Sequence, residues 1–141
     1  MKKSNLIKQF YSLKSALMFG PMAIILSLVM ANKWNDTVRI IVFIFGVYLI
    51  INFFIKLNKY ARLYDEYKGN DVIAIVTKMV NSKHYRTLHL EYEYEGNKIK
   101  NLLNLKKNSR AYNLFCNSKE IKISVVANKP NIYFVPEIIE E

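Results

Sequence analysis

The sequence predicts an α+β membrane protein: an N-terminal two-helix transmembrane hairpin, a helical stalk, then a small, mostly antiparallel five-stranded β-barrel-like domain with one short helix. Two observations predict it. Two apolar runs, residues 16–31 and 40–55, stand close together, separated by a polar stretch and bracketed outside by lysines. After Asp71 the apolar period falls from about 3.6 to about 2. The boundaries that follow are a basic cytoplasmic N-terminus over 1–12, the hairpin over 13–57, an amphipathic stalk over 58–69, a β domain over 70–136 and an acidic tail over 137–141.

Each apolar run holds sixteen residues, a rise of about 24 Å against a hydrocarbon layer of about 30 Å. Both therefore borrow flanking residues, giving spans over 13–31 and 38–57, with Lys14 and Arg39 snorkelling to the headgroups. Phe10, Tyr11, Trp34 and Tyr60 fall at the interfaces, where amphipathic rings settle. Lys2, Lys3, Lys8 and Lys14 precede the first span and Lys56, Lys59, Arg62 and Lys68 follow the second, whereas the connecting loop holds Lys33 and Arg39. That asymmetry predicts a two-pass protein with both termini in the cytoplasm. The competing reading is a cleavable signal peptide ending at Val29-Met30-Ala31, which would leave the second span as a single anchor.

Within the first span Ala16, Gly20, Ala23, Ser27 and Ala31 recur at spacings of three and four, forming one helix face that admits close approach by another helix. This face either receives the second helix of the same hairpin, near Gly46, or forms the seam of a homo-oligomer. Pro21 is expected to kink or loosen the first helix. Asn52 is the one strongly polar side chain deep in either span, and a hydrogen bond across the hairpin is expected for it.

Leu57, Tyr60, Ala61, Tyr64 and Tyr67 keep helical spacing opposite Asn58, Lys59, Arg62, Asp65 and Glu66, so the second helix continues as an amphipathic stalk. Gly69 ends it as a left-handed cap. Residues 72–80 form a β-branched run. Residues 87–95 alternate, with Leu88, Leu90, Tyr92 and Tyr94 on one face and Thr87, His89, Glu91 and Glu93 on the other. Glu95-Gly96-Asn97 then turns the chain into strand 98–105, whose Lys98 and Lys100 fall across from those glutamates. Residues 107–117 return to helical spacing, 121–127 alternate, 128–131 turn, and 132–135 form a last short strand.

The net charge of +10 is uneven: residues 1–68 hold ten Lys/Arg against three Asp/Glu, and 69–141 hold eleven against eight. A basic excess flanking apolar runs suits topology signals and anionic headgroups, and no nucleic-acid partner is expected. The single cysteine, Cys116, excludes an intramolecular disulfide and reads as a small buried hydrophobe. Two histidines without ligand spacing, four glycines and no phosphate-binding loop argue against catalysis, a metal site or a cofactor. Lys56, Lys59 and Arg62 on the stalk, with Lys98, Lys100, Lys106, Lys107 and Arg110 on the β domain, are the candidate contacts for lipid or a partner.

Three stretches carry a resemblance to a known family. The valine-rich strand over 72–80, the run Leu90-Glu91-Tyr92-Glu93-Tyr94-Glu95-Gly96, and Ile121-Lys122-Ile123-Ser124-Val125 with Pro130 five residues on resemble bacterial membrane proteins of the family called domain of unknown function 3592. The resemblance covers about residues 70–136. It implies a β fold and membrane association and brings no activity with it.

These readings converge on a non-enzymatic interaction module anchored in the bacterial inner membrane. It would present its cytoplasmic β domain to an unknown protein partner or to the anionic bilayer surface, with an exposed strand edge such as 132–135 recruiting a peptide. The alternative is an immunity or defence protein that neutralises a membrane-targeting toxin.

Overall fold

The change of period at Asp71 coincides with a change of architecture. A computed structural model describes residues 3–140 and shows an α+β chain. Helices α1 (Lys3–Gln9), α2 (Tyr11–Val29) and α3 (Asp36–Tyr67) come first. Strands β1 (Asp71–Asn81), β2 (Tyr85–Tyr94) and β3 (Asn97–Lys106), helix α4 (Arg110–Phe115), strands β4 (Glu120–Val125) and β5 (Tyr133–Phe134), and helix α5 (Pro136–Ile139) follow. Lys2 and Glu141 lie outside the described residues, as does the side chain of Tyr11. The described chain divides into two compact units, Leu6–Arg62 and a second that joins residues 3–5 to residues 63–140.

In the helical unit, α2 runs through Pro21 without a break. Six residues separate it from α3, whose first turn is capped by Asn35, with Oδ1 accepting from the Thr37 N–H at 2.8 Å. Arg39 turns back at this end, donating to the Ser27 carbonyl at 3.3 Å and pairing with Asp36 at 2.9 Å. Helix α3 is long and apolar enough to cross a bilayer by length and composition. The apolar stretch of α2, Leu13–Val29, is shorter, rising about 25 Å, because the chain leaves the helix at Met30. Phe10, between α1 and α2, stacks on Tyr60 of α3 with centroids 4.4 Å apart.

The β unit begins where Gly69, at φ +93°, terminates α3 in the left-handed conformation expected of it. Its five antiparallel strands lie in the order β3-β2-β1-β4-β5 and curl into a half-barrel. The central β1 serves two neighbours, pairing with β4 from Asp71 to Ile75 and with β2 from Ile75 to Asn81. A bulge at Thr77 separates Val76, opposite Leu90, from Lys78, opposite His89. The β2–β3 hairpin turns through Glu95 at φ +49° and Gly96 at φ +79°, the positive pair that two-residue hairpin loops prefer.

Alternation fills the inner face with Ala74, Leu88, Leu90, Tyr92, Ile99, Leu103, Leu105, Ile121, Ile123 and Val125. Phe115 of α4 and Ile138 of α5 complete this core. Cross-links from the two edges hold the curl: Tyr133 donates its hydroxyl to the Leu102 carbonyl at 2.7 Å, and Asn101 Nδ2 donates to the Asn131 carbonyl at 2.9 Å. Tyr92 donates its hydroxyl to the Pro130 carbonyl in the same region.

Within the stretch read from the sequence as an acidic tail, Glu137 to Ile139 belong to the helical turn α5. Ile138 and Ile139 of α5 are buried, and the Val135 carbonyl accepts from both of their N–H groups. Strand β5 lies at an edge of the sheet, paired to β4 alone, with the side chains of Tyr133, Phe134 and Val135 buried.

Candidate functional site

The small residues of α2 meet α3 at a glycine-to-glycine crossing. A Cβ on Gly20 would lie 2.8 Å from Ile50 Cγ1 and 3.3 Å from the Gly46 carbonyl oxygen; one on Gly46 would lie 2.8 Å from Ile24 Cγ1 and 2.9 Å from the Gly20 carbonyl oxygen. Gly20 and Ser27 therefore face the partner helix of the same hairpin, and Ser27 also donates its hydroxyl to the Ile24 carbonyl at 2.7 Å. Ala16 and Ala23 do something different. With Ser15, Phe19, Met22, Leu26, Phe45, Leu49, Asn52 and Lys56 they line an open groove of about 550 Å³ along the helix pair.

Asn52 corrects an expectation here. Its amide makes no hydrogen bond to α2 or to any other described residue, and it stands in the wall of the groove. The reason is steric. The helices touch backbone to backbone at Gly20 and Gly46, whereas Ala16, which lines the groove with Asn52, has a side chain too short and apolar to give the amide a partner.

The stalk pattern places Leu57, Ala61 and Tyr64 in buried positions and leaves Lys59 and Arg62 exposed. Among the β-domain lysines, Lys98, Lys100 and Lys106 alternate along the outer face of β3, and the sheet brings two of them against acids: Lys98 pairs in register with Glu93, and Lys100 with Glu91, where Nζ and Oε2 are 4.0 Å apart. Lys107 sits in the turn after β3, and Arg110 opens α4, whose Phe115 packs into the core. The five basic residues thus do not form one patch.

The outer face of the sheet carries features that sequence reasoning missed. Ile73 and Ile75 of β1 are 61% and 56% exposed despite lying on its central strand. On one side lies a cleft of about 340 Å³ lined by Thr77, Lys78, His89, Glu91, Lys100, Asn101 and Leu102. On the other lies a cleft of about 370 Å³ lined by Tyr64, Lys68, Gly69, Asp71, Lys122, Pro136, Glu137 and Glu140. In the second, Lys122 contacts Asp71 Oδ2 at 2.9 Å and Ser124 donates to Asp71 Oδ1 at 2.9 Å. Those two hydrogen bonds hold the Asp71 carboxyl below the usual carboxylate range. The strand alternation was the available signal: with Val72, Ala74 and Val76 directed inward, Ile73 and Ile75 must point out.

Chemically, the outer face offers two apolar side chains between mixed-charge clefts, a surface suited to binding. Among the described residues no group of three His, Cys, Asp or Glu side chains could hold a metal ion. Comparison of the chain with protein-family models, with curated proteins and with solved structures finds no match.

Proposed function

We propose that this chain is a non-enzymatic, two-pass protein of the bacterial cytoplasmic membrane whose cytoplasmic β domain binds a protein partner through its outer sheet face. The observation that carries the reading is the uncovered apolar surface of the helical unit. Leu17, Met18, Met22, Ile25 and Leu28 of α2 and Ile40, Ile41, Ile44, Ile51 and Ile55 of α3 are all exposed. Leaving this surface in water costs about 25 cal/mol per Å², and a hydrocarbon phase removes the cost. The shorter α2 reaches both interfaces through local thinning of the bilayer and snorkelling of Lys14. Positive charge outside the hairpin supports cytoplasmic termini.

For the partner, Ile73, Ile75 and Leu102 supply apolar contact, and Lys78, Lys100 and Lys122 with Glu91 and Glu120 supply the polar rim. Two measurements test the reading. The full chain should stay with membranes through alkaline carbonate extraction, and a C-terminal reporter should be active in the cytoplasm; release by carbonate or a periplasmic signal overturns the placement. Proteins co-purifying from detergent with the wild type should be lost with Ile73→Asp/Ile75→Asp, and their retention by that variant rules out the outer face.

A further inference from the structure

The groove beside the glycine crossing has an ordered polarity along its length. Phe19, Met22, Leu26, Phe45 and Leu49 make one end apolar, while Asn52 and Lys56 bring an amide and an ammonium to the other. Neither of these side chains has a hydrogen-bond or ion-pair partner among the described residues. They stand four residues apart on α3, so they share a helix face, with the amide about 6 Å further into the apolar segment than the ammonium. From Phe45 to Lys56 the groove runs about 16 Å along the axis.

From this order we infer that the groove is a binding site for a single anionic phospholipid, and the inference rests on the membrane placement proposed above. The acyl chain lies along Phe19, Met22 and Phe45, where Ala16 and Ala23 leave the space. The Lys56 ammonium pairs with the phosphate. The Asn52 amide, one helical turn deeper, donates to a glycerol ester carbonyl, the group a phospholipid presents just below its phosphate. A lone amide facing hydrocarbon is expensive unless it is hydrogen-bonded, and the lipid ester satisfies it where the hairpin does not. Charge complementarity selects an anionic over a zwitterionic headgroup, because the latter brings its own cation against Lys56.

The test uses the full-length protein in nanodiscs of phosphatidylcholine doped with phosphatidylglycerol, followed by native mass spectrometry of retained lipid. The wild type is expected to retain one phosphatidylglycerol at least five-fold in excess of its share in the disc. Lys56→Gln should abolish that preference, Asn52→Leu should reduce retention of both lipids, and Lys33→Gln, in the loop between α2 and α3 and outside the groove, should change nothing. Circular dichroism checks that each variant keeps its helices, and Ala23→Phe, which fills the apolar end, provides a second route to loss. Retention in proportion to disc composition overturns the site, as does an equal fall for Lys56→Gln and Lys33→Gln. A dimer whose partner copy excludes lipid also overturns it. A chain that stays in solution without detergent or lipid refutes the membrane placement instead, and the two failures are distinct.

Discussion

The hydroxyl of Tyr64 donates a 2.6 Å hydrogen bond to Glu140 Oε1, joining the last turns of α3 to a residue 76 positions further along the chain. The Tyr64 ring also meets Phe134 edge-on, with centroids 5.3 Å apart. Burial, and then the Glu140 carboxylate, push the phenol above its usual range. Tyr64→Phe keeps the ring and removes the hydroxyl, with an expected loss of about 1–2 kcal/mol in thermal or denaturant melts. The sign with pH follows from the raised folded-state pKa: the contribution is complete below the unfolded value of about 10 and is lost as pH rises beyond it. The difference in melting temperature between wild type and Tyr64→Phe should therefore narrow above about pH 10; a constant gap would refute the linkage.

The glycine crossing predicts an asymmetric response. A methyl on Gly46 meets the Gly20 carbonyl oxygen at 2.9 Å, a backbone atom that cannot move without displacing α2. A methyl on Gly20 meets the Ile50 side chain first and the Gly46 carbonyl only at 3.3 Å. Gly46→Ala is expected to cost about 1–3 kcal/mol by overpacking, and Gly20→Ala less, in denaturation from detergent micelles. Equal effects would show that the contact is not tight at the backbone.

Asp71 governs an acid-side loss of stability. Its carboxyl is held low in the folded state by Lys122 and Ser124, so its contribution is present above the unfolded value of about 3.9 and disappears as pH falls through the folded one. Asp71→Asn should flatten the acid limb of a melting-temperature profile from pH 6 to pH 2 and lower stability slightly at neutral pH. An unchanged acid limb would mean that other carboxylates account for it.

Much of this fold is legible in the pattern of residues 57–125. The stalk spacing, the Gly69 cap, the alternation of 87–95 and the Glu95-Gly96 turn all rest on local rules of period and φ, and local rules can be read from a short window. What was not legible depends on contacts distant in sequence. The bulge at Thr77 is one case: strict alternation would turn Lys78 inward with Val76, and the extra residue turns it out beside His89. The burial of Ile138 and Ile139 is another, because an apolar pair among glutamates at a chain end signals nothing until the core and Tyr64 are placed. Asn52 is the third. Polarity marked it as important, but whether a partner helix lies within reach depends on where the glycines set the crossing.

Arg86 fixes the position of α4. Its Nε donates to Asn81 Oδ1 at 2.7 Å, its terminal nitrogen donates to the Cys116 carbonyl and to Asn117 Oδ1, and its guanidinium lies 5.8 Å from the Tyr112 ring centroid. A lysine keeps the charge and loses the planar fork. Arg86→Lys should cost about 1 kcal/mol and should raise amide hydrogen exchange across 112–118 while leaving the β2–β3 hairpin protected. Exchange unchanged in 112–118 would assign the hold on α4 to Phe115 alone.

Glu95 occupies a conformation that its side chain disfavours. At φ +49°, followed by Gly96 at φ +79°, it takes the first central position of the hairpin turn, where asparagine is preferred because its short polar side chain tolerates the left-handed region. The turn sets the register that aligns Tyr94 with Asn97 and carries the alignment down to Tyr85 and Lys106, so relief at this one residue stabilises a pairing already formed. Glu95→Asn should raise the denaturation midpoint by an amount equivalent to about 0.5 kcal/mol with no change in slope. Glu95→Val, β-branched and strained at positive φ, should lower it. Equal midpoints for the two variants would show that backbone preference at this turn does not limit the stability of the hairpin.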